Sequence, residues 1–180
     1  MSMLRIRFAG LAWIAAVFTL PGCAAPADKQ AMTVAKTVVV TKKHPYAVGV
    51  AVRGGSETTS TSSSNIADAD LKAAIEASIR ETQVFREVVQ GRNGQYELAV
   101  NVIQLSKPSF GFSFTVDMEA GWTVTRVSDN QIVFRKAIAS TYTASASDAF
   151  VGATRLRLAV EGAAKANIAQ GLAAIGGVDL

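Results

Sequence analysis

The sequence predicts an α+β domain, a two-layer sandwich with two helices on one face of a mostly antiparallel or mixed sheet, in the order β-α-β-β-β-α. Three observations carry that expectation. Residues 110 to 124 alternate apolar and polar side chains over the longest such stretch in the chain, as a sheet covered on one face requires. Two other segments, around residues 71–79 and 156–175, place apolar or small residues at helical spacing. Between those helices, strand-like runs follow one another directly, which favours antiparallel neighbours over a strict βα alternation.

The first strand candidates are Thr37 to Thr41 and then Tyr46 to Arg53, where Tyr46, Val48, Val50 and Val52 alternate with Ala47, Gly49 and Ala51. His44-Pro45 is expected to bend the chain between them. Residues 54–65 are almost wholly Gly, Ser, Thr and other polar types, which cannot bury enough apolar surface to offset ordering. A flexible loop is therefore expected there. The first helix follows, with Asp68 or Asp70 as its cap and Leu71, Ile75 and Ile79 on its buried stripe. Val84 to Val89 leads out of it, and Gly91-Arg92-Asn93-Gly94 makes a turn.

Tyr96 to Leu105 is apolar at both sets of alternate positions, the mark of a central strand. Lys107-Pro108 ends it. In the next strand Phe110, Phe112, Phe114, Val116, Met118, Ala120, Trp122 and Val124 share one face, with Gly121 as the expected bend or bulge. Residues 128–131 form a hairpin turn. An odd-length loop there puts Phe134, Ile138 and Tyr142 on the face of Val124, Trp122 and Met118, whereas a two-residue loop would turn them outward; the odd loop is expected, with Asn130 left-handed. A last helix is expected from about Asp148 to Ile175, capped by Ser145 or Ser147. Its stripe contains Leu156, Val160, Ala164, Ile168 and Gly171, and includes Asn167 as a buried amide satisfied by its surroundings.

Ahead of the domain, Arg5 and Arg7 precede an uncharged, mostly apolar run from Phe8 to Leu20. As a helix that run is about 20 Å long, against a hydrocarbon core of roughly 30 Å, so it reads as a signal-peptide core and not as a spanning helix. It ends in Leu20-Pro21-Gly22-Cys23, which resembles the lipobox of bacterial lipoproteins. That resemblance implies a signal peptide over residues 1–22 and acylation of Cys23, including palmitate-type chains, as the first mature residue. Residues 23–33 are then a lipidated tether, and residues 34–180 a single domain. Cys23 is the chain's one cysteine, so neither a disulfide nor a cysteine metal site competes for it. Two or more acyl chains hold a protein stably on a bilayer where one holds it marginally. Where the family's inner-membrane retention signal places Asp, this chain has Ala24, and the resemblance then implies the outer membrane, facing the periplasm.

The formal charge of +4 falls to about +2 once Arg5 and Arg7 are removed, and no basic cluster exceeds Lys42-Lys43. No nucleic-acid partner is expected. Catalytic groupings are equally scarce. The single histidine, His44, sits beside a proline with no nucleophile elbow anywhere in the chain. Asp117 and Glu119 lie on the solvated face of their strand and read as surface charge, as do Asp68 and Asp70. Gly54-Gly55 and Gly176-Gly177 do not match phosphate loops. No catalytic residue, cofactor or metal ligand is assigned, and no enzyme is expected.

The order of elements resembles a group of small envelope lipoproteins: the lipopolysaccharide-assembly lipoprotein, the auxiliary lipoprotein of the Pqi transport system, and the amino-terminal domain of the Tol propeller protein. The residues that carry this are Leu71, Ile75 and Ile79 leading to Phe85-Arg86-Glu87-Val88, the strand Tyr96-Glu97-Leu98-Ala99-Val100, and the helix around Arg155, Ala159, Glu161, Ala163 and Asn167-Ile168. The resemblance is one of layout. It implies an accessory, assembly or adaptor factor of the cell envelope, anchored through Cys23 and acting by contact with an envelope protein partner. The alternative reading is a lipid or amphiphile carrier that uses the apolar row from Phe110 to Trp122 as one wall of a cavity between sheet and helices.

Overall fold

The computed structural model describes residues 24–35, 38–59 and 63–180. The leader, Cys23, Thr37 and the middle of the Ser/Thr run lie outside the described residues. Eight elements follow in order: α1 (Lys29–Met32), β1 (His44–Arg53), α2 (Asp68–Thr82), β2 (Phe85–Val89), β3 (Tyr96–Ser106), β4 (Phe114–Arg126), β5 (Ile132–Ala144) and α3 (Gly152–Ile175). The strands form one mixed sheet in the order β2-β1-β3-β4-β5. β1 is parallel to both β2 and β3, and the β3-β4-β5 meander is antiparallel. The expected two-layer α+β sandwich is thus present, with one more strand than expected, and β3 is the middle strand.

The extra strand is β2, which the sequence reading treated as the exit from the helix. Only five residues long, it carries no alternation of its own and is defined by its parallel register on β1. The helix before it ends where Gln83 turns left-handed, with φ at 57° and its N–H bonded to the Ile79 carbonyl. Leu71, Ala74, Ile75 and Ile79 of α2 are buried against β1 and β2, as their spacing requires. Asp68 does not cap α2: Ala67 holds that position, and the Asp68 carboxylate accepts the Gly55 N–H at 2.7 Å.

In the β4-β5 hairpin Val124 lies opposite Phe134 and Val116 opposite Tyr142, so over residues 114–124 and 134–144 the even-numbered positions of both strands share the face toward the helices. Asn130 has φ of 57°, and the Arg126 N–H closes the turn on the Gln131 carbonyl. Four residues, 127–130, lie within that closure and Thr125 stands opposite Ile132, so the turn is even in length and not the odd-length loop expected. The irregularity at Val124/Thr125 supplies the one-residue shift that brings Phe134 opposite Val124 on the expected face. Gly121, in contrast, sits in regular register between Asn101 and Ala137; the irregularities fall at Val102/Gln104 and Val124/Thr125.

Two boundaries differ from expectation. α3 begins at Gly152 and not at Asp148, because Ser145 and Asp148 bond to one another in a separate turn: the Asp148 carboxylate accepts from the Ser145 N–H at 2.7 Å and from its hydroxyl at 2.8 Å. No strand forms over the described residues 38–41.

The segment expected as a tether is instead part of the body. Ala27, Met32 and Val34 are fully buried, Val34 N–H donates to the Ser78 hydroxyl at 2.9 Å, and Asp28 N–H donates to Glu161 Oε1 at 2.8 Å. Asp28 itself caps α1. α1 packs against both α2 and α3, and burial of these three apolar side chains, with the two backbone hydrogen bonds, works against the cost of ordering the stretch.

The polar run is also fastened at its described ends. Ser56 N–H donates to the Ile66 carbonyl at 2.9 Å, and Thr58 and Asn65 bond reciprocally between hydroxyl and backbone. Ser64 is buried, its hydroxyl donating to the Ala25 carbonyl at 2.8 Å.

Candidate functional sites: a side groove and an aromatic tip

Trp122, Met118, Val116, Ala120 and Val124 of β4 are buried beneath α3, and the Trp122 ring lies so close to Gly171 that a Cβ there would fall 2.5 Å from it. The apolar row therefore divides. From Phe114 to Val124 it is core, while Phe110 and Phe112 lie beyond the strand and are 87% and 91% exposed. The row is not the wall of a cavity between sheet and helices, and the carrier reading built on it is corrected accordingly.

Several of the polar side chains weighed in the sequence are occupied structurally. His44 opens β1, buried, with Nε2 3.1 Å from the Ile175 carbonyl and its ring against Phe85. It is a strand residue and not a bend. Asp117 accepts the Thr141 hydroxyl at 2.6 Å on the outer sheet face. Asn167 receives the Trp122 indole N–H at 2.9 Å and donates to the Ile138 carbonyl at 2.8 Å. Among the described residues, no group of three or more His, Cys, Asp or Glu could hold a metal ion. No described helix is long and apolar enough to cross a membrane.

Two features of the surface stand out, neither legible in the sequence. The first is a groove of about 670 Å³ where Ala31, Val34, Ala35 and Val38 meet the outer side of α3 and the end of β5. Tyr142 lies across Gly162, whose missing side chain leaves room for the ring: a Cβ would sit 2.3 Å from it. The groove is largely apolar, with Asp148, Glu161 and Lys165 as its charged groups. Burial pushes the Glu161 carboxyl above the usual range, opposed by the Asp28 N–H and by Arg157.

The second is an aromatic tip at one end of the sandwich. Phe110 and Phe112 sit on the β3–β4 connection; Phe150 and Val151, 94% and 60% exposed, sit on the β5–α3 connection. One buried guanidinium joins the two loops. Arg155 donates from Nη1 to the Ala149 carbonyl at 3.0 Å and from Nη2 to the Gly111 carbonyl at 3.3 Å, while lying over the Phe114 ring. The start of the described chain is held at the same end. Lys107, which begins the Phe110 loop, donates to the Ser64 carbonyl at 2.9 Å and to the Asn65 side chain, and Ser64 holds Ala25.

No protein-family model matches the chain, and no curated protein matches it. Its fold does match solved structures. A Xanthomonas campestris protein of the DUF330 family superposes with a TM-score of 0.51 at 13% identity, over 81% of this chain and 88% of that one. A hypothetical protein from Chlamydia trachomatis gives 0.56 at 8% identity, over 76% and 97%. PelC of Paraburkholderia phytofirmans, crystallised as a dodecamer, gives 0.50 at 14% identity, over 77% and 93%. At such identities the likeness defines a shared two-layer α+β fold, and the fold alone.

Proposed function

We propose that this chain is a lipid-anchored, periplasm-facing lipoprotein of the bacterial outer membrane, a non-catalytic accessory or adaptor factor that works through protein–protein contacts. The observation that carries the reading is how little free chain separates the acylation candidate from the folded body. Ala25 is already bonded to Ser64, and two residues back to Cys23 span at most about 7 Å. An anchor with so little slack suits a factor that acts at the bilayer surface and not one that reaches across the compartment. The groove beside Tyr142 supports the adaptor part, being a concave, largely apolar surface with three charged groups to set orientation.

Metabolic labelling with a palmitate analogue tests the anchor. The full chain should take up label and lose its leader, and Cys23→Ala should do neither. An unlabelled wild-type product that keeps its leader would overturn the reading. A photo-crosslinking side chain at Tyr142 should give a discrete protein adduct in intact envelopes, absent when the same group stands at Ser128. Equal or no adducts from both positions would reject the adaptor role.

A further inference from the structure

We propose that Phe110, Phe112, Phe150 and Val151 form a membrane-inserting tip, which enters the interfacial layer of the same bilayer that holds the Cys23 lipid and stands the sandwich upright on it. The proposal rests on the reading of Cys23 as the lipid-bearing residue and adds to it the orientation and contact surface of the domain.

Three observations converge on a bilayer as the occupant. First, three phenylalanines are almost fully exposed within two neighbouring loops with the part-exposed Val151 beside them, whereas Val39 is the one other described large apolar side chain exposed to that degree. Single exposed apolar residues are ordinary; four gathered at one tip are not. Second, the tip is held in shape. The Arg155 guanidinium clamps the two loops by their carbonyls and lies over the Phe114 ring, so the rings are presented on a preformed support. Third, the chain leads to the bilayer at this end. Ala25 is fixed to Ser64, Ser64 to Lys107, and Lys107 lies three residues from Phe110, a reach of at most about 10 Å. An acyl group on Cys23, two residues before Ala25, therefore enters its membrane beside these rings. The opposite end of the sandwich, where Arg92 meets Asn130 at 2.7 Å, lies an 11-residue strand away, about 35 Å.

The physical consequence is a second, independent hold on the membrane. Acyl chains fix only a point, and the domain would otherwise pivot about it. Apolar rings buried a few ångströms into the headgroup boundary add a second contact and remove that freedom. The groove beside Tyr142 is then presented sideways, parallel to the membrane surface.

The test uses the full chain, produced in a lipidating bacterial host and reconstituted in phosphatidylethanolamine/phosphatidylglycerol vesicles with and without bromine-labelled acyl chains. Phe112→Trp, Phe150→Trp and, at the far end, Ser128→Trp are compared with the unaltered chain, whose buried Trp122 supplies the background. Unfolding midpoints confirm that each variant is folded, and the intact mass reports acylation of Cys23 separately. Introduced indoles at 112 and 150 should shift to the blue and lose most of their emission to the bromolipid, while the one at 128 is unaffected. Unquenched indoles at 112 and 150 on an acylated chain would overturn the tip and leave the anchor standing; burial of those indoles only in whole envelopes would assign the tip to a protein partner, and would overturn it equally. Should the mass show no acylation, the anchor fails, and quenching at 112 and 150 on vesicles added to that chain would still uphold the tip, its absence reject it.

Discussion

The indole N–H of Trp122 donates to Oδ1 of Asn167 at 2.9 Å, joining the middle of β4 to the middle of α3. The same amide donates to the Ile138 carbonyl and to the Ser140 hydroxyl, and Ser140 donates in turn to the Ala163 carbonyl at 2.9 Å. All of these groups are buried, so the network fixes where the helix sits along the sheet as well as holding it there.

Asn167→Leu should therefore destabilise the domain although it is apolar and of similar size. It strands the indole N–H and the Ile138 carbonyl, and each buried group left without a partner costs about 1–3 kcal/mol. Denaturant unfolding followed by Trp122 fluorescence measures this. A change under 0.5 kcal/mol, on the order of an ordinary surface substitution, would show the network to be incidental.

Two glycines should respond in opposite ways to the same methyl group. Gly171→Ala drives a Cβ to within 2.5 Å of the Trp122 ring and should cost about 1–3 kcal/mol by overpacking. Gly121→Ala meets nothing closer than 3.7 Å and should be neutral or slightly stabilising, since glycine is a poor strand former. Thermal midpoints of the two variants provide the comparison, and equal losses would contradict it.

Glu161 should leave a signature in the pH dependence of stability. Its folded carboxyl titrates above its ordinary value because burial disfavours the charge. Between the ordinary carboxylate range and that raised value the folded chain holds more protons than the unfolded one, so stability falls as pH rises through this window. Glu161→Gln keeps an oxygen for the Asp28 N–H and should flatten the curve there. The carboxylates of Asp129, Asp148 and Asp179 are held low by hydrogen bonds and titrate beneath the window. Urea midpoints measured in steps from pH 4 to pH 8 would decide the matter, and parallel curves for the two chains would contradict the assignment.

Arg155→Lys should loosen the tip without unfolding the core. A lysine keeps the charge but cannot span two carbonyls with one planar group. Hydrogen exchange should quicken in residues 107–113 and 145–151 and remain unchanged in β3 and β4. Uniform acceleration across the domain would mean that Arg155 supports the whole core.

How much the sequence disclosed depended on where each residue finds its partner. The shared face of β4 and β5 could be read in advance from the parity of two apolar sets, Val124 to Met118 and Phe134 to Tyr142, but the irregularity at Val124/Thr125 that delivers it through an even turn could not. α2 was equally plain in Leu71, Ile75 and Ile79. β2 was not, since five residues define no period, and its partner β1 lies more than 30 residues earlier. Nor could Ala27, Met32 and Val34 be seen as core, because the surfaces that bury them belong to residues such as Ser78 and Glu161. The groove and the tip were hidden for the same reason: each is assembled from separate segments, and Phe110 and Phe112 continue the β4 alternation although the strand has not begun there. Cys23, by contrast, was conspicuous in the sequence and lies outside the described structure.

The bond from Asp28 to Glu161 closes a circuit of 133 residues. The front of the chain can find its seat only after the last helix has been made and brought back to meet it. Long closures of this kind slow folding, so a newly made chain spends its early life with its first segment loose and accessible. The processing proposed for the residues ahead of Ala25 would have its opportunity then, before the rear of the chain arrives to lock that segment in place.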